Sequence, residues 1–364
     1  LSSMVLVTLV GAASIYAGKK DYLASSAPHD YSVAGNKVDL TSTKKLMDDF
    51  LIKTGEQANE EVAVSYLFFG IKNQETNKLT VFTKNERKVV PKSIVLVFSQ
   101  ETFKQLTGKE LNLSSNQIAL YTKNKTLKTQ KSLSIDGKNY QIHRQLGDFI
   151  NKKIPNIYKI IVSDYSYLVV PDIKIFESSM KGTSIAQATY VGVNVKDPTH
   201  DAKKNSDLLD QMTDKETQQL ARQTTGVSQS YLTANSQYDT EGMLNGFVGG
   251  TFFIGIFLSI IFMLGTVLVI YYKQISEGYE DRERFVILQK IGLDDLQVKQ
   301  TIRKQVLTVF FLPLIFAFIH LAFAYHMLSL IIRLIGVLNP DLMLVVTIIV
   351  CGVFFLAYVL VFAL

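Results

Sequence analysis

Four apolar runs, separated by polar segments of unequal length, dominate the pattern of this sequence. The second and third runs, residues 244–272 and 306–332, contain no Asp, Glu, Lys or Arg. Each exceeds the roughly 20 residues that an α-helix needs to cross the hydrocarbon core of a bilayer, so both are predicted to be transmembrane helices. The first and last runs, residues 1–18 and 342–364, reach the ends of the chain, and we expect truncated spanning helices of a longer protein. Residues 1–18 would otherwise fit a signal peptide, although they lack its positively charged start.

The polar segment between the two uncharged runs indicates the orientation of the chain. Residues 273–305 carry six acidic residues and seven cationic ones, namely Lys273, Arg282, Arg284, Lys290, Lys299, Arg303 and Lys304. Short loops rich in Lys and Arg remain on the cytoplasmic side of a membrane, which places the largest polar segment outside. The predicted parts are residues 1–18 (spanning helix), 19–243 (extracellular domain), 244–272 (spanning helix), 273–305 (cytoplasmic coupling-helix loop), 306–332 (spanning helix), 333–341 (short extracellular turn) and 342–364 (spanning helix).

The extracellular segment shows the patterns of an α+β domain. Apolar and β-branched runs predict strands, Asp136-Gly137 is a two-residue hairpin signal, and three stretches have helical spacing. The predicted strands are residues 62–71, 79–83, 93–98, 117–122, 157–170 and 188–195, and the predicted helices are residues 43–54, 101–106 and 201–222. The predicted fold class is therefore an α-helical transmembrane bundle of four spans with a large extracellular α+β domain inserted between spans 1 and 2.

Composition excludes several classes of function. Residues 19–243 hold 30 of the 38 Lys and Arg residues of the chain, a slight cationic excess that would suit an anionic neighbourhood or simply a solvated surface. The only cysteine is Cys351, so no disulfide can form within the chain. The sequence shows no phosphate-binding loop, no G-x-S-x-G elbow and no metal-ligand spacing of His or Cys. We therefore expect neither an enzyme nor a bound cofactor or metal, and no nucleic-acid partner.

Glycines at the start of the second apolar run predict close helix packing. Gly242, Gly246 and Gly250 fall four residues apart, and Gly255 continues a second row of small residues. Small residues at this spacing share one helix face and allow another helix to approach. Residues 244–272 would form a helix of about 43 Å at 1.5 Å per residue, which is longer than the hydrocarbon core and predicts a stalk.

The cytoplasmic segment predicts a short amphipathic helix over residues 277–291. Glu280 and Arg284 are four residues apart with the acid first, the favourable order for a helical ion pair. Phe285, Leu288 and Ile291 form an apolar stripe, and Gly292 fits a helix stop. Such a stripe packs on the membrane surface, on the protein's own helix ends or in a groove of a partner subunit.

These residues resemble the FtsX-like permeases of ABC transporters. Residues 283–292, ERFVILQKIG, are similar to the charged segment E-R/E-x-x-I-L-x-x-x-G that follows a long spanning helix in that family. The run YKQISEGYEDRERF at residues 272–285, with FFLP at residues 310–313 and His320, resembles the bacitracin-resistance-type permeases of Gram-positive bacteria. The resemblance covers about the last 120 residues, and over residues 19–243 it rests on the size and position of the domain.

The resemblance implies a permease in a bacterial cell membrane with ten spanning helices, of which this chain would hold the last four and the external domain. Two separate ATPase subunits, which carry the ATP and Mg, would dock on the cytoplasmic loops and change the grip of the external domain on an antimicrobial peptide or its lipid pyrophosphate target. A membrane sensor histidine kinase is a further implied partner. The predicted docking residues are Glu280, Arg282, Glu283, Arg284, Phe285, Leu288 and Gly292.

Two other functions stay open at the level of sequence. The first is a permease of the same superfamily that controls a cell-wall hydrolase, or exports lipoproteins or macrolides, by transmitted motion. The second is a receptor or signalling scaffold whose external domain senses a ligand without transport.

Overall fold

The computed structural model describes residues 1–86, 91, 93–155, 164–223, 230–290, 292, 294–334 and 339–363. The described helices and strands, in chain order, are α1 Ser2–Ser26, β1 Tyr31–Asn36, α2 Leu40–Thr54, β2 Ala58–Glu75, β3 Lys78–Val81, a 3-10 turn Lys84–Glu86, β4 Ser93–Ser99, α3 Gln100–Thr107, β5 Gln117–Thr122, α4 Lys125–Lys128, β6 Ser132–Ile135, β7 Lys138–Gln145, β8 Asp164–Val170, α5 Ile173–Ser179, β9 Ile185–Val195, α6 Ala202–Gln223, β10 Tyr231–Ser236, α7 Gln237–Lys290, α8 Asp295–Leu334 and α9 Pro340–Ala363. Residues 157–163 of one predicted strand lie outside the described residues.

The chain forms two compact units, one of Leu1–Tyr22 with Leu244–Leu364 and one of Leu23–Met243. Within the described residues, four helices (α1, α7, α8 and α9) are long and apolar enough to cross a membrane. A large β-rich domain lies in the sequence between the first and second of them. The predicted fold class, a helical membrane bundle with one inserted domain of strands and helices, is confirmed.

The four helices of the first unit pack around a shared apolar core. It combines Val5, Leu6 and Val10 of α1, Ile270 of α7, Phe310, Leu314, Ala317 and Leu321 of α8, and Phe354 and Tyr358 of α9. A hydrogen bond crosses from Ser3 Oγ of α1 to Nδ1 of His320 in α8, at 3.1 Å. Inter-helical hydrogen bonds of this kind are how polar side chains are accommodated within a bundle.

Helix α7 is longer than the sequence pattern indicated. It runs for 54 residues from Gln237 to Lys290, so the amphipathic segment predicted as a separate helix is the last part of α7. The segment after Tyr272 contains helix-favouring Glu, Arg, Lys, Gln and Leu residues and no proline, which allows the backbone hydrogen bonding to continue.

The second unit is built on one sheet with the strand order β10-β1-β9-β2-β3-β6-β7-β5-β8-β4. A further pairing of β2 with β4 closes the seven strands β2, β3, β6, β7, β5, β8 and β4 into a ring of hydrogen-bonded neighbours. Alternate residues of these strands fill the ring, including Leu67, Phe69, Val97, Leu120 and Leu168. Closure removes most free strand edges from this half of the domain.

The other half of the sheet is open and antiparallel, and helices cover one of its faces. Strands β10, β1 and β9 pair in sequence, and β9 pairs with the first part of β2. Helices α2 and α6 bury Phe50 and Leu209 against Val191 and Val193 of β9. Val191, Val193 and Val195 take every second position of β9, and all three lie in this core.

A candidate docking site at the ends of two helices

The end of α7 and the start of α8 form a helical hairpin. Gly292 lies in the turn with a φ of 107°, a conformation that L-residues with a side chain rarely adopt. The Asp294 carbonyl accepts the main-chain N–H groups of Gln297 and Val298, which starts α8. The glycine therefore reverses the chain, and Asp294 follows as the residue that opens the next helix.

A groove runs between the two helices next to this turn. Its cavity is about 320 Å³ in volume, and apolar atoms make up most of its surface. The groove is lined by Gln274, Glu277, Gly278, Asp281, Arg282, Phe285 and Val286 of α7 and by Ile302, Gln305, Val306 and Val309 of α8. On α7, Gly278, Asp281, Arg282 and Phe285 recur at intervals of three and four residues, which places them along one helix face.

Asp281 is the polar centre of the groove. Its Oδ2 accepts a hydrogen bond from Nε2 of Gln305 at 2.9 Å, which joins α7 to α8. Its Oδ1 accepts from Arg284 at 3.3 Å, an ion pair between residues three apart on one helix. The carboxylate therefore sets the spacing of the two helices and holds the Arg284 guanidinium beside them.

The structure divides the predicted docking residues between the groove and an open surface. Arg282 and Phe285 line the groove, and Phe285 is half-buried there. Glu280, Glu283 and Arg284 are exposed, and Gly292 lies in the turn. The backbone of Leu288 belongs to α7, but its side chain lies outside the described residues.

Asp281 and Gln305, which join the two helices at this site, were not among the predicted residues. Asp281 has a weak sequence signal, because it lies three residues before Arg284 within a charged helix. Gln305 has none, because its contact with Asp281 depends on the packing of a second helix. Ile287, also outside the predicted set, is 60% exposed on the open surface. The exposed charges with an apolar side chain among them form a surface suited to contact with another protein.

The four glycines predicted to pack helices differ in their surroundings. A Cβ at Gly255 would lie 2.6 Å from Cβ of Ala12 in α1, so this glycine lies in a close helix–helix contact. At Gly242, Gly246 and Gly250 no described atom outside the helix backbone lies within 4 Å of the Cβ position. For these three, packing against another helix stays a prediction.

Three curated proteins of Bacillus subtilis (strain 168) are similar to parts of the chain. The ABC transporter permease protein YxdM is 35% identical over 77 residues, which are 21% of this chain and 12% of that protein. The bacitracin export permease protein BceB is 29% identical over 140 residues, or 38% of this chain and 19% of that protein. The uncharacterized ABC transporter permease YvcS is 32% identical over 92 residues, or 25% of this chain and 13% of that protein.

The other two comparisons add little. No family model matches the chain. A match to the solved structure of a lipoprotein from Bacillus anthracis covers 48% of this chain and 92% of that one, with 12% identity and a TM-score of 0.26, which is too low to indicate a shared fold.

The three matches to permeases cover between 12% and 19% of those proteins. They confirm the predicted resemblance to ABC transporter permeases of the bacitracin type and, with the four apolar helices, indicate a multi-pass membrane protein.

Proposed function

We propose that this chain, a relative of the bacitracin-type permeases of ABC transporters, couples ATP hydrolysis on a separate ATPase to movement of an extracellular domain. The observation that carries the proposal is the unbroken helix α7, which begins directly after strand β10 of the domain and ends in the candidate docking site. A helix of 54 residues spans about 80 Å at 1.5 Å per residue, enough to cross a bilayer and extend beyond it.

The ATPase would hold the exposed charged surface at the end of α7. Glu280, Glu283 and Arg284 offer charges of both signs for pairing across an interface, and Ile287 offers an apolar contact among them. The groove itself is partly closed by the Asp281–Gln305 hydrogen bond, so α7 and α8 would move together when the ATPase closes. Arg282 and Phe285 would then act by lining the groove, and Gly292 by forming the turn, while a contact between Leu288 and the ATPase stays a prediction.

The external ligand would be an antimicrobial peptide or its lipid pyrophosphate target. Support comes from the similarity to a bacitracin export permease and from the cationic excess of the domain. ATP can do work on such a ligand only if the ligand binds the two arrangements of the domain with different affinity. A change in ligand binding that is driven by ATP, and the resistance that depends on it, therefore require a two-state movement of α7.

Docking of the ATPase can be tested by making the same substitution at two exposed isoleucines, one inside the candidate docking site and one outside it. Ile287 on α7 and Ile52 on α2 are both exposed, at 60% and 78%. With Ile287→Asp we expect recovery of the co-expressed ATPase to fall at least tenfold, because the charge removes the apolar contact. With Ile52→Asp the recovery of the ATPase should be unchanged, and membrane insertion should be unchanged in both variants.

Phe285→Asp provides a second test, within the groove. Full ATPase recovery with both Ile287→Asp and Phe285→Asp would refute the docking site.

The orientation has its own test, because Cys351 is the only cysteine. In a Cys351→Ala background, Ile52→Cys should react with a membrane-impermeant thiol reagent in whole cells. Ile287→Cys should react only after the membrane is opened. The reverse result would place the domain inside the cell and remove the proposed coupling.

A further inference from the structure

The chain enters the domain before β1 and leaves it after β10, and these two points lie next to each other. Strand β10 ends at Ser236 and α7 begins at Gln237, with no residue between them. Strand β1 pairs with β10 so that Tyr31 lies opposite Ser236. Since α1 ends at Ser26, only four residues separate it from β1. The usual flexible linker between a domain and a helix is therefore missing at the start of α7.

Two buried serines and the carboxylate of Asp239 hold the first turn of α7. Ser236 Oγ accepts a hydrogen bond from the Asp239 N–H at 3.0 Å and donates one to Oδ2 of Asp239 at 2.8 Å. This reciprocal arrangement caps the helix. Ser206 of α6 also donates to the Asp239 carboxylate, and its Oγ lies 2.7 Å from Ser236 Oγ. Ser206 and Ser236 are only 2% and 3% exposed.

Main-chain groups of the neighbouring connection complete the arrangement. The Gln237 N–H donates to the Asp30 carbonyl at 2.9 Å, which ties the first residue of α7 to the chain entering β1. Asn235 Nδ2 donates to the carbonyl of Ser26, the last residue of α1, at 3.3 Å. The start of α7 is thus bonded to α6 and to the residues before β1, and the strand that precedes it, β10, is bonded to the end of α1.

We infer that Ser206, Ser236 and Asp239, here called the α7 joint, are positioning residues that fix the direction of α7 relative to the sheet. A linker residue with free backbone dihedrals would let the helix swivel, whereas here α7 starts inside a network that includes a charged acceptor. Hydrogen bonds to a carboxylate are stronger than neutral ones, and removing Asp239 leaves the buried hydroxyls of Ser206 and Ser236 without this acceptor. The role inferred for the α7 joint depends on the proposed function: because the joint is rigid, a movement of α7 becomes an equal movement of the domain.

The rigidity of the joint can be measured without an ATPase. In the full chain with Cys351→Ala, spin labels are placed at Ile52 of α2 and Met243 of α7, which are 78% and 83% exposed. The distance distribution between them should be narrow in the parent chain and at least twofold wider with Ser206→Ala and Asp239→Ala.

The control for this experiment makes the same chemical change at another helix start. Asp39 caps α2, where its side chain accepts from Ser42 N and Ser42 Oγ at 2.8 and 2.7 Å. Ser42→Ala with Asp39→Ala should leave the distribution narrow. A joint variant as narrow as the parent chain would overturn the inference, and so would equal broadening in the control.

Transmission is then tested in the complex with the ATPase. A label pair at Ile52 and Leu330 of α8 should show a nucleotide-dependent shift in distance when ATP and vanadate are added. The joint variant should hydrolyse ATP at the parent rate and lose at least half of this shift, while the α2 cap variant should keep it. A full shift in the joint variant would overturn its role. If the parent complex hydrolyses no ATP, the proposed function fails, and the Ile52–Met243 distances still decide whether the joint is rigid.

Discussion

The hydroxyl of Tyr358 in α9 donates a hydrogen bond to the main-chain carbonyl of Phe310 in α8, at 3.0 Å. Phe310 lies three residues before Pro313, which is inside α8. Proline cannot donate to the carbonyl four residues earlier, and its ring disturbs the preceding turn. Tyr358 is 3% exposed, so its hydroxyl has been brought into the apolar core beside that disturbed turn. The carbonyl four residues before Pro313 is that of Val309, so Tyr358 bonds the next carbonyl along the chain and ties α9 to this turn of α8.

Tyr358→Phe should destabilise the membrane unit by about 1–2 kcal/mol, because it leaves a buried carbonyl with one partner fewer. Unfolding in mixed micelles of increasing denaturing detergent measures the change. Tyr272→Phe is the control, since Tyr272 is 62% exposed and its substitution should change little. In a Pro313→Ala background the cost of Tyr358→Phe should be unchanged, because the N–H regained at residue 313 reaches the carbonyl of Val309 and not that of Phe310; a smaller cost in that background would contradict this assignment.

Gly255 and Gly246 should respond differently to the same substitution. Gly255→Ala places a methyl group 2.6 Å from Cβ of Ala12, and the resulting separation of α1 and α7 should cost about 1–3 kcal/mol. Gly246→Ala meets no described atom, so the folded chain should be equally stable or slightly more stable. The same detergent titration compares them. A loss of stability at Gly246 equal to that at Gly255 would show that this face of α7 also packs against a helix.

Sequence reasoning identified the strands that consist of continuous apolar runs. Strands β2, β4, β5 and β9 follow their predicted runs because valine, isoleucine, leucine and aromatic residues concentrate there, and most of them are buried. The hairpin at Asp136-Gly137 also formed as predicted, with positive φ at both residues, 49° and 84°. These features depend on a few neighbouring residues, and this makes them readable from a single sequence.

Strands β1 and β10 were missed because their stability comes from distant partners. Their sequences, YSVAGN and YLTANS, are short and contain Gly, Asn and Ser, which are poor strand formers. They form because each pairs with the other and β1 also pairs with β9, more than 150 residues away. The same limit applies to the docking site, where the charged face of α7 was readable but the Asp281–Gln305 contact was not.

Gly192 makes room for the buried His29 side chain. A Cβ on residue 192 would lie 2.5 Å from Nδ1 of His29 and 2.6 Å from Oη of Tyr190. Gly192→Ala should therefore destabilise the domain by about 1–3 kcal/mol, measured by thermal unfolding. Adding His29→Ala frees space, so the double variant should lose less than the sum of the two single changes. Gly147→Ala is the control, because no atom of the described residues lies within 4 Å of its Cβ position and its effect should stay within about 0.5 kcal/mol.

The same histidine should make the stability of the domain depend on pH. His29 is 3% exposed, and its Nδ1 lies 2.8 Å from the Tyr190 hydroxyl. Burial lowers the pKa of the imidazole below its ordinary value of 6.5, and the negative charge of Glu60 opposes this shift without reversing it. The unfolded chain therefore binds the proton more readily than the folded one. Stability from this group is present above the unfolded pKa and is lost as the pH falls towards the lower folded value.

His29→Gln should remove this loss, because glutamine keeps a polar partner for Tyr190 and takes up no proton. Between pH 7 and about pH 5, the melting temperature of the parent chain should fall more steeply than that of the variant. Tyrosine fluorescence can follow the unfolding, since the chain has 17 tyrosines and no tryptophan. His143→Gln, at an exposed position of β7, should keep the parent slope. Parallel melting curves for the parent and His29→Gln would show that the buried imidazole does not control this pH dependence.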